Sequence, residues 1–198
     1  MRLKTHRYIA ETAIMLVEEI TGVSFNHKLV KIGACAPDIA LNRRIKLHTP
    51  TLAGMEYDRM LGKFGGGNRS NSFLSYMLGS YSHYVADSFC YAHNYYVVDL
   101  KKHVQYEYLL QDEMAATPLP IDMIDIVLEK SKILKHNTAL EYMLKESNDY
   151  RAVMDKKTDW EEMISIDLIS AITNSVALML QFVYAAQAQQ QPVLVPAV

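Results

Sequence analysis

Apolar residues recur at intervals of three and four through most of the chain, which is the spacing of one face of an α-helix. The first segment shows this pattern, because Ile9, Ala13, Leu16, Val17 and Ile20 fall on one side of a helix. We find no convincing alternation of apolar and polar residues of the kind that marks a half-buried β-strand. The pattern therefore predicts an all-α fold of about six to eight helices.

Capping and helix-breaking residues predict where these helices begin and end. Thr5 is expected to cap a helix that stops at Gly22, and Asn26 to cap a second helix that ends before Pro37. Residues 38–50 are interpreted as a loop. Further helices are predicted over about 50–61, 70–93, 99–116, 121–135, 137–147 and 159–187, with Ser70 or Asn71 and Asp99 as caps. Residues 1–187 are expected to form one multi-helix domain, and residues 188–198 a polar C-terminal tail.

The composition is that of a globular chain with almost balanced charge. Of its 198 residues 50% are hydrophobic and 21% are charged, and the formal net charge is -2. A chain of this length forms one domain with a full core. Proteins that bind the phosphate backbone of nucleic acids are usually basic, so stable nucleic-acid binding is not expected. The two cysteines, Cys35 and Cys90, are too few for a disulfide scaffold, and whether they pair stays open.

No signal peptide or transmembrane segment is predicted. Near the start of the chain, Glu11, Glu18 and Glu19 interrupt the apolar residues. The longest apolar stretch, residues 171–186, contains polar side chains and is shorter than the roughly 20 residues that span a bilayer. We expect this stretch to be a buried core helix. The protein is expected to be cytoplasmic, or secreted if a leader has been removed.

Histidines paired with carboxylates supply the candidate chemistry. His83 and Asp87 are four residues apart on one predicted helix, and His103 and Glu107 repeat this spacing on the next. Residues four apart share a helix face, so each pair can bind one ion. His93 lies roughly 240° around an ideal helix from Asp87, and would face a second ion or lie past the helix end. One such pair is usually a surface ion pair, but two on consecutive helices indicate a metal site.

Three upstream residues complete the candidate ligand set. His6 lies at the start of the first predicted helix, and Asp38 and His48 lie in the loop predicted after the second. Imidazole and carboxylate groups together are typical zinc ligands. His27 and His136 lack a carboxylate at the four-residue step, and we leave them out.

In order and spacing these residues resemble the zinc-dependent phospholipases C of bacteria. The pattern of that family is His, Asp, His, then His-x-x-x-Asp-x-x-x-x-x-His, then His-x-x-x-Glu. The chain is similar to it at His6, Asp38, His48, His83, Asp87, His93, His103 and Glu107. The segments Gly-Ala-Cys-Ala-Pro-Asp and Leu-Gly-Ser-Tyr-Ser-His-Tyr also resemble the family. Zinc-dependent single-strand nucleases share the helical scaffold but usually end the pattern with His-x-x-x-Asp, so Glu107 favours the phospholipase side.

The resemblance implies two or three zinc ions that together hydrolyse a phosphodiester. It implies one ion held by Asp38, His48, His83 and Asp87, a second held by His93, His103 and Glu107, and a third held by His6 and the other oxygen of Asp87. Asp38 would also be the catalytic residue that accepts the proton of the attacking water. Secreted family members complete the third site with an N-terminal Trp. Because the only Trp here is Trp160, that site is expected to be weak, empty or completed by Met1.

The resemblance leaves the substrate within the phosphodiester class open. Ile39 and Ile45 stand where the phosphatidylcholine-specific enzymes have aromatic residues, so selectivity for choline is not predicted. The expected substrate is a phospholipid or a related phosphodiester, with at most a transient contact with a membrane surface. The oligomeric state is not predicted. The alternatives are a single-strand nuclease of the same scaffold and a non-catalytic metal-binding protein, which a missing third site would favour.

Overall fold

The computed structural model of the chain describes residues 1–40, 49–64, 70–94 and 99–188. All regular secondary structure within these ranges is helical, which confirms the all-α prediction. The helices are α1 (Leu3–Thr21), α2 (His27–Ile39), α3 (Pro50–Phe64), α4 (Asn71–Ser88), α5 (Tyr91–Asn94), α6 (Leu100–Glu113), α7 (Met123–Leu134), α8 (Ala139–Met154) and α9 (Trp160–Ala188). Ile45, His48 and residues 189–198 of the predicted tail lie outside the described residues.

Helix α9 forms the centre of the core and packs against α1, α4 and α7. Every residue from Ala171 to Leu180 is buried. The segment Trp160–Gln187 is long and apolar enough to cross a membrane, and its most apolar window of 18 residues has a mean hydropathy of 1.7. However, 78% of its most apolar window is buried inside the structure, which is the environment of a core helix.

The first helix begins earlier than predicted. Arg2 precedes its first turn, and Thr5 is fully buried inside the helix. The prediction that Thr5 caps this helix is therefore wrong, because its side chain packs into the core and not over the helix end. The predicted end is confirmed at Gly22, which has a left-handed φ of 70° and donates its backbone N–H to the carbonyl of Glu18.

The second helix ends later than predicted. Asn26 caps it by accepting the backbone N–H of Leu29, as predicted, but the helix continues through Pro37 to Ile39. Proline removes one backbone hydrogen bond inside a helix, and this loss falls here close to the C-terminal end. The prediction of a loop at Asp38 is therefore wrong, because this residue lies in the last turn of α2.

Close packing of α2 on α4 holds that last turn in place. A Cβ atom on Gly33 would lie 2.1 Å from the carbonyl oxygen of Tyr76, and one on Gly79 would lie 2.0 Å from the carbonyl oxygen of Val30. Glycine at both positions therefore lets the two backbones approach each other. The contact brings the end of α2 close to the face of α4 that carries His83.

The long helix predicted over 70–93 is interrupted. Ser70 caps α4 by accepting the backbone N–H of Phe73, as predicted, but α4 ends at Ser88 and a turn precedes α5. In an uninterrupted helix the N–H of Tyr91 would bond to the carbonyl of Asp87. Instead it donates to the side chain of Asp167 on α9, at 2.9 Å. The helix prediction fails here because a side chain distant in sequence binds this N–H.

Candidate metal centre

Six of the eight predicted ligands lie in two groups, carried by helices α1, α4, α5 and α6. The ligand atoms of each group lie within 4.8 Å of one another, close enough for one ion to bind all three. The groups consist of His6, His83 and Asp87, which are buried, and of His93, His103 and Glu107, which are partly exposed. Of the other two predicted ligands, Asp38 lies beside the first group, and His48 is outside the described residues.

Asp87 forms the centre of the first group. It follows His83 by one turn of α4, and His83 Nε2 lies 3.3 Å from Asp87 Oδ2. His6 comes from α1 and reaches the other oxygen, with Nε2 3.4 Å from Oδ1. The two imidazole rings stack with their centroids 3.8 Å apart. Each oxygen of Asp87 therefore faces a different imidazole.

Asp38 approaches the same two imidazoles from the end of α2. Its Oδ1 lies 3.6 Å from His83 Nε2, and its Oδ2 lies 4.0 Å from His6 Nε2. Its side chain is 33% exposed, whereas the side chains of His6 and His83 are fully buried. Asp38 can therefore contact both the buried imidazoles and water.

The tautomer of His83 suits a metal ligand. Its Nδ1 lies 2.9 Å from the backbone carbonyl oxygen of Ala34 on α2. A carbonyl only accepts hydrogen bonds, so Nδ1 must carry the proton. The lone pair is then on Nε2, the nitrogen that faces Asp38 and Asp87.

The second group forms where α5 meets α6. His103 and Glu107 lie one turn apart on α6, with His103 Nε2 3.3 Å from Glu107 Oε1. His93 approaches from α5, and its Nε2 lies 2.9 Å from the same oxygen. His93 Nδ1 also lies 3.7 Å from Oδ1 of Asp87, so the two groups are neighbours. The interruption after α4 produces this geometry, since it turns His93 back towards Asp87.

A family model of zinc-dependent phospholipase C matches residues 5–170, a range that includes all eight predicted ligands. The chain belongs to the zinc-dependent phospholipase C family. This confirms the resemblance inferred from the order of the histidines and carboxylates. A search of curated proteins and a search of solved structures found no match to the chain.

In this member of the zinc-dependent phospholipase C family, both carboxylates of the two groups are held ionised. Burial alone would raise the pKa of Asp87, but the charges of His93, of the Met1 amine and of other neighbours hold it well below its usual value. Burial opposes the shift at Glu107 too. The hydrogen bond from His93 lowers the pKa of Glu107, and the positive charge of the Met1 amine lowers it further. Ionised carboxylates are the form that a metal ion requires.

His6 has no hydrogen bond within the described part of the chain, at either ring nitrogen. Burial, with a contribution from the neighbouring His83, lowers its pKa to about 3, so the imidazole is neutral. Leaving such a buried polar group unsatisfied costs about 1–3 kcal/mol. A bound metal ion would remove that cost, and neutral imidazoles with ionised carboxylates are zinc ligands.

The Met1 amine lies in the space between the two groups. Its nitrogen lies 2.9 Å from Asp87 Oδ1 and 3.0 Å from Glu107 Oε1. Burial would lower the pKa of this amine, but Asp87, Cys90 and Glu107 raise it to about 11. The residues therefore fit the zinc that the family implies. It stays a prediction that these residues bind zinc and that Met1 completes a third site.

The sequence did not reveal the groups that bind the predicted ligands or the helices that carry them. The carbonyl of Ala34 orients His83, but a backbone oxygen has no signature in a sequence. Asp167 binds the start of α5, and its partner Tyr91 lies 76 residues away. Cys35 and Cys90, whose pairing the sequence leaves open, are both buried and are not joined by a disulfide.

Proposed function

We propose that the protein is a zinc-dependent phosphodiester hydrolase that cleaves a phospholipid or a related phosphodiester in a phospholipase C-type reaction. One observation carries this proposal. Asp87 contacts His83 with one oxygen and His6 with the other, and His93 of the second group lies close to it. Ions held by the two groups would therefore be neighbours, as in enzymes that cleave phosphate esters with more than one metal.

The proposed ligands have distinct tasks. His6, His83 and Asp87 would hold zinc in the buried part of the site, and His93, His103 and Glu107 at its open side. When bound, zinc supplies Lewis-acid polarisation of the phosphoryl oxygens and makes an attacking water more acidic. Asp87 stays ionised and His6 stays neutral, because the pKa of each is lowered.

Asp38 is the proposed general base. It is the carboxylate beside the first group that is exposed enough to receive a water molecule. One oxygen of Asp38 would take the proton as the water oxygen attacks phosphorus. The bond from phosphorus to the leaving oxygen then breaks, the leaving oxygen takes a proton from solvent water, and Asp38 returns its proton to solvent. For a phospholipid, the products are a diacylglycerol and the phosphorylated head group.

A substrate screen of the zinc-loaded protein tests this function. We expect hydrolysis of phospholipids in mixed micelles or of a chromogenic phosphodiester, and no cleavage of single-stranded DNA or RNA. Cleavage of nucleic acid alone would favour the nuclease alternative. Zinc binding without hydrolysis of any of these substrates would favour a non-catalytic metal-binding protein.

A further inference from the structure

The carboxyl group of Asp167 is fully buried in the core, on α9, apart from the predicted ligands. It accepts hydrogen bonds from three other helices. The hydroxyl of Tyr150 on α8 lies 2.5 Å from Oδ1, and the hydroxyl of Tyr106 on α6 lies 2.8 Å from Oδ2. The backbone N–H of Tyr91 on α5 lies 2.9 Å from the same Oδ2. Burial of a carboxyl group costs free energy of folding unless hydrogen-bond donors satisfy it, and these three donors do so.

Two of these three donors belong to the helices that carry the second group. Tyr91 lies two residues before His93 on α5, and Tyr106 immediately precedes Glu107 on α6. Tyr106 is buried, whereas Glu107 is partly exposed, so the two neighbours point to different sides of α6. The oxygen that binds Tyr91 and Tyr106 therefore joins the start of α5 to the buried face of α6.

Helix α5 needs this support because it is short. It comprises only the four residues Tyr91–Asn94, and a helix of this length is not stable by itself. The bond from the Tyr91 N–H to Asp167 also replaces the bond that would have continued α4. Without this carboxylate, His93 would lose the contact that orients its own short helix.

We propose that Asp167 is a positioning residue for the second metal group, because one of its oxygens holds α5 and α6 at the separation that brings His93 to His103 and Glu107. This inference rests on the proposed function, in which these three residues bind zinc. Asp167 contacts none of the three directly, so it acts through Tyr91 and Tyr106. Partners of this kind around a metal site change metal affinity by about 10–100-fold when they are removed.

The test compares two tyrosines that are equally buried and bonded. Tyr106→Phe removes the hydroxyl that binds Asp167, and Tyr142→Phe removes one that binds Asn174 at 2.6 Å, a residue outside the set of predicted ligands. We expect Tyr106→Phe to weaken zinc binding at the second group by about 10–100-fold and Tyr142→Phe to leave it unchanged. Zinc affinity is measured by competition with a chromophoric chelator. The zinc ion that is lost in Glu107→Gln is assigned to the second group, and its affinity is the one compared between the variants.

Asp167→Asn separates positioning from stability. The amide keeps one acceptor oxygen for Tyr91 and Tyr106, so it should retain most of the second-group affinity, whereas Asp167→Leu should lose it. The visible absorption of the cobalt-substituted protein reports ligand geometry at this group, and it should change with Asp167→Leu and Tyr106→Phe only. If Tyr106→Phe and Tyr142→Phe bind zinc with the wild-type affinity, Asp167 does not position the group. Zinc binding by a wild type that hydrolyses no phosphodiester would overturn the proposed function and leave this inference standing.

Discussion

At the scale of single residues, three aspartates differ in their surroundings and therefore in their roles. Asp87 is buried among positive neighbours, and its pKa lies well below the usual value. Asp38 contacts the same imidazoles but is 33% exposed, so it can meet a water molecule. Asp167 is buried, lies outside the set of predicted ligands and binds tyrosine hydroxyls. Burial and bonding partners thus give aspartate three roles: a proposed metal ligand, a proposed general base and a proposed support for two helices.

The proposed base is tested by Asp38→Asn, which keeps the shape of the side chain but removes its charge and basicity. Hydrolysis of the best phosphodiester substrate should fall by about 10²–10⁴-fold, the usual effect of losing a general base. Thermal stability should change little, because the side chain is partly exposed at the end of α2. Steady-state kinetics and thermal denaturation measure both effects.

Glu107→Gln is the matched control for that experiment. It also replaces a carboxylate by an amide, but in the second group, so it should reduce the zinc content. Asp38→Asn should leave the second group filled. Wild-type turnover by Asp38→Asn would show that Asp38 is not the base.

The buried Asp167 predicts a pH dependence of stability. Burial raises its pKa from 3.8 to about 7, against hydrogen bonds from Tyr150, Tyr91 and Tyr106. Between these pH values the native state binds more protons than the unfolded state, so this group contributes stability that is lost as pH rises towards 7. Asp167→Asn does not titrate. In metal-free protein, its free energy of unfolding relative to the wild type should therefore increase from pH 4 to pH 7, as measured by urea denaturation. A constant difference across this range would contradict the assignment.

At the scale of helices, the contact between α2 and α4 sets the geometry of the first group. Gly33 and Gly79 let the two backbones meet, so that Asp38 at the end of α2 lies opposite His83 on α4. The carbonyl of Ala34, next to Gly33, orients the His83 ring. Moving these helices apart would therefore disturb both the proposed base, Asp38, and the proposed ligand, His83.

Gly33→Ala tests this contact. Its Cβ would lie 2.1 Å from a backbone oxygen of α4, so the helices must shift. Overpacking of this kind costs about 1–3 kcal/mol in the free energy of unfolding, and zinc affinity of the first group should fall with it. Gly62→Ala on α3 is the control, because a Cβ there meets nothing within 4 Å, and it should leave stability unchanged or raise it. Equal denaturation midpoints for the two variants would disprove the close contact.

The ends of helices show how far sequence reasoning reaches. Helix caps that depend on nearby residues could be predicted from the sequence. Examples are Asn26, Ser70 and Asp99, whose side chains accept backbone N–H groups two or three residues further along the chain. The continuation of α2 through Pro37 and the end of α4 at Ser88 could not be predicted. Both depend on partners from other helices, namely the packing of α4 and the carboxylate of Asp167.

At the scale of the whole molecule, the site joins helices from separate parts of the chain around the buried α9. Ligands four residues apart could be paired from the sequence because one helix turn brings them together. The position of His6 beside Asp87 could not be derived from spacing, since it depends on how α1 packs. The resemblance to the family supplied that link, and the structure brings the two residues within 3.4 Å.

The most direct test is the zinc content of the protein, purified without added metal or chelator and then reconstituted with zinc. Elemental analysis should find about two or three tightly bound zinc ions per chain, the number that the resemblance to the family implies, with His and carboxylate ligands of the kind zinc prefers. Glu107→Gln should lose about one of them, and removal of zinc should lower the melting temperature of the wild type. Less than about one bound zinc per chain after reconstitution, with an unchanged melting temperature, would show that these side chains do not form a metal centre.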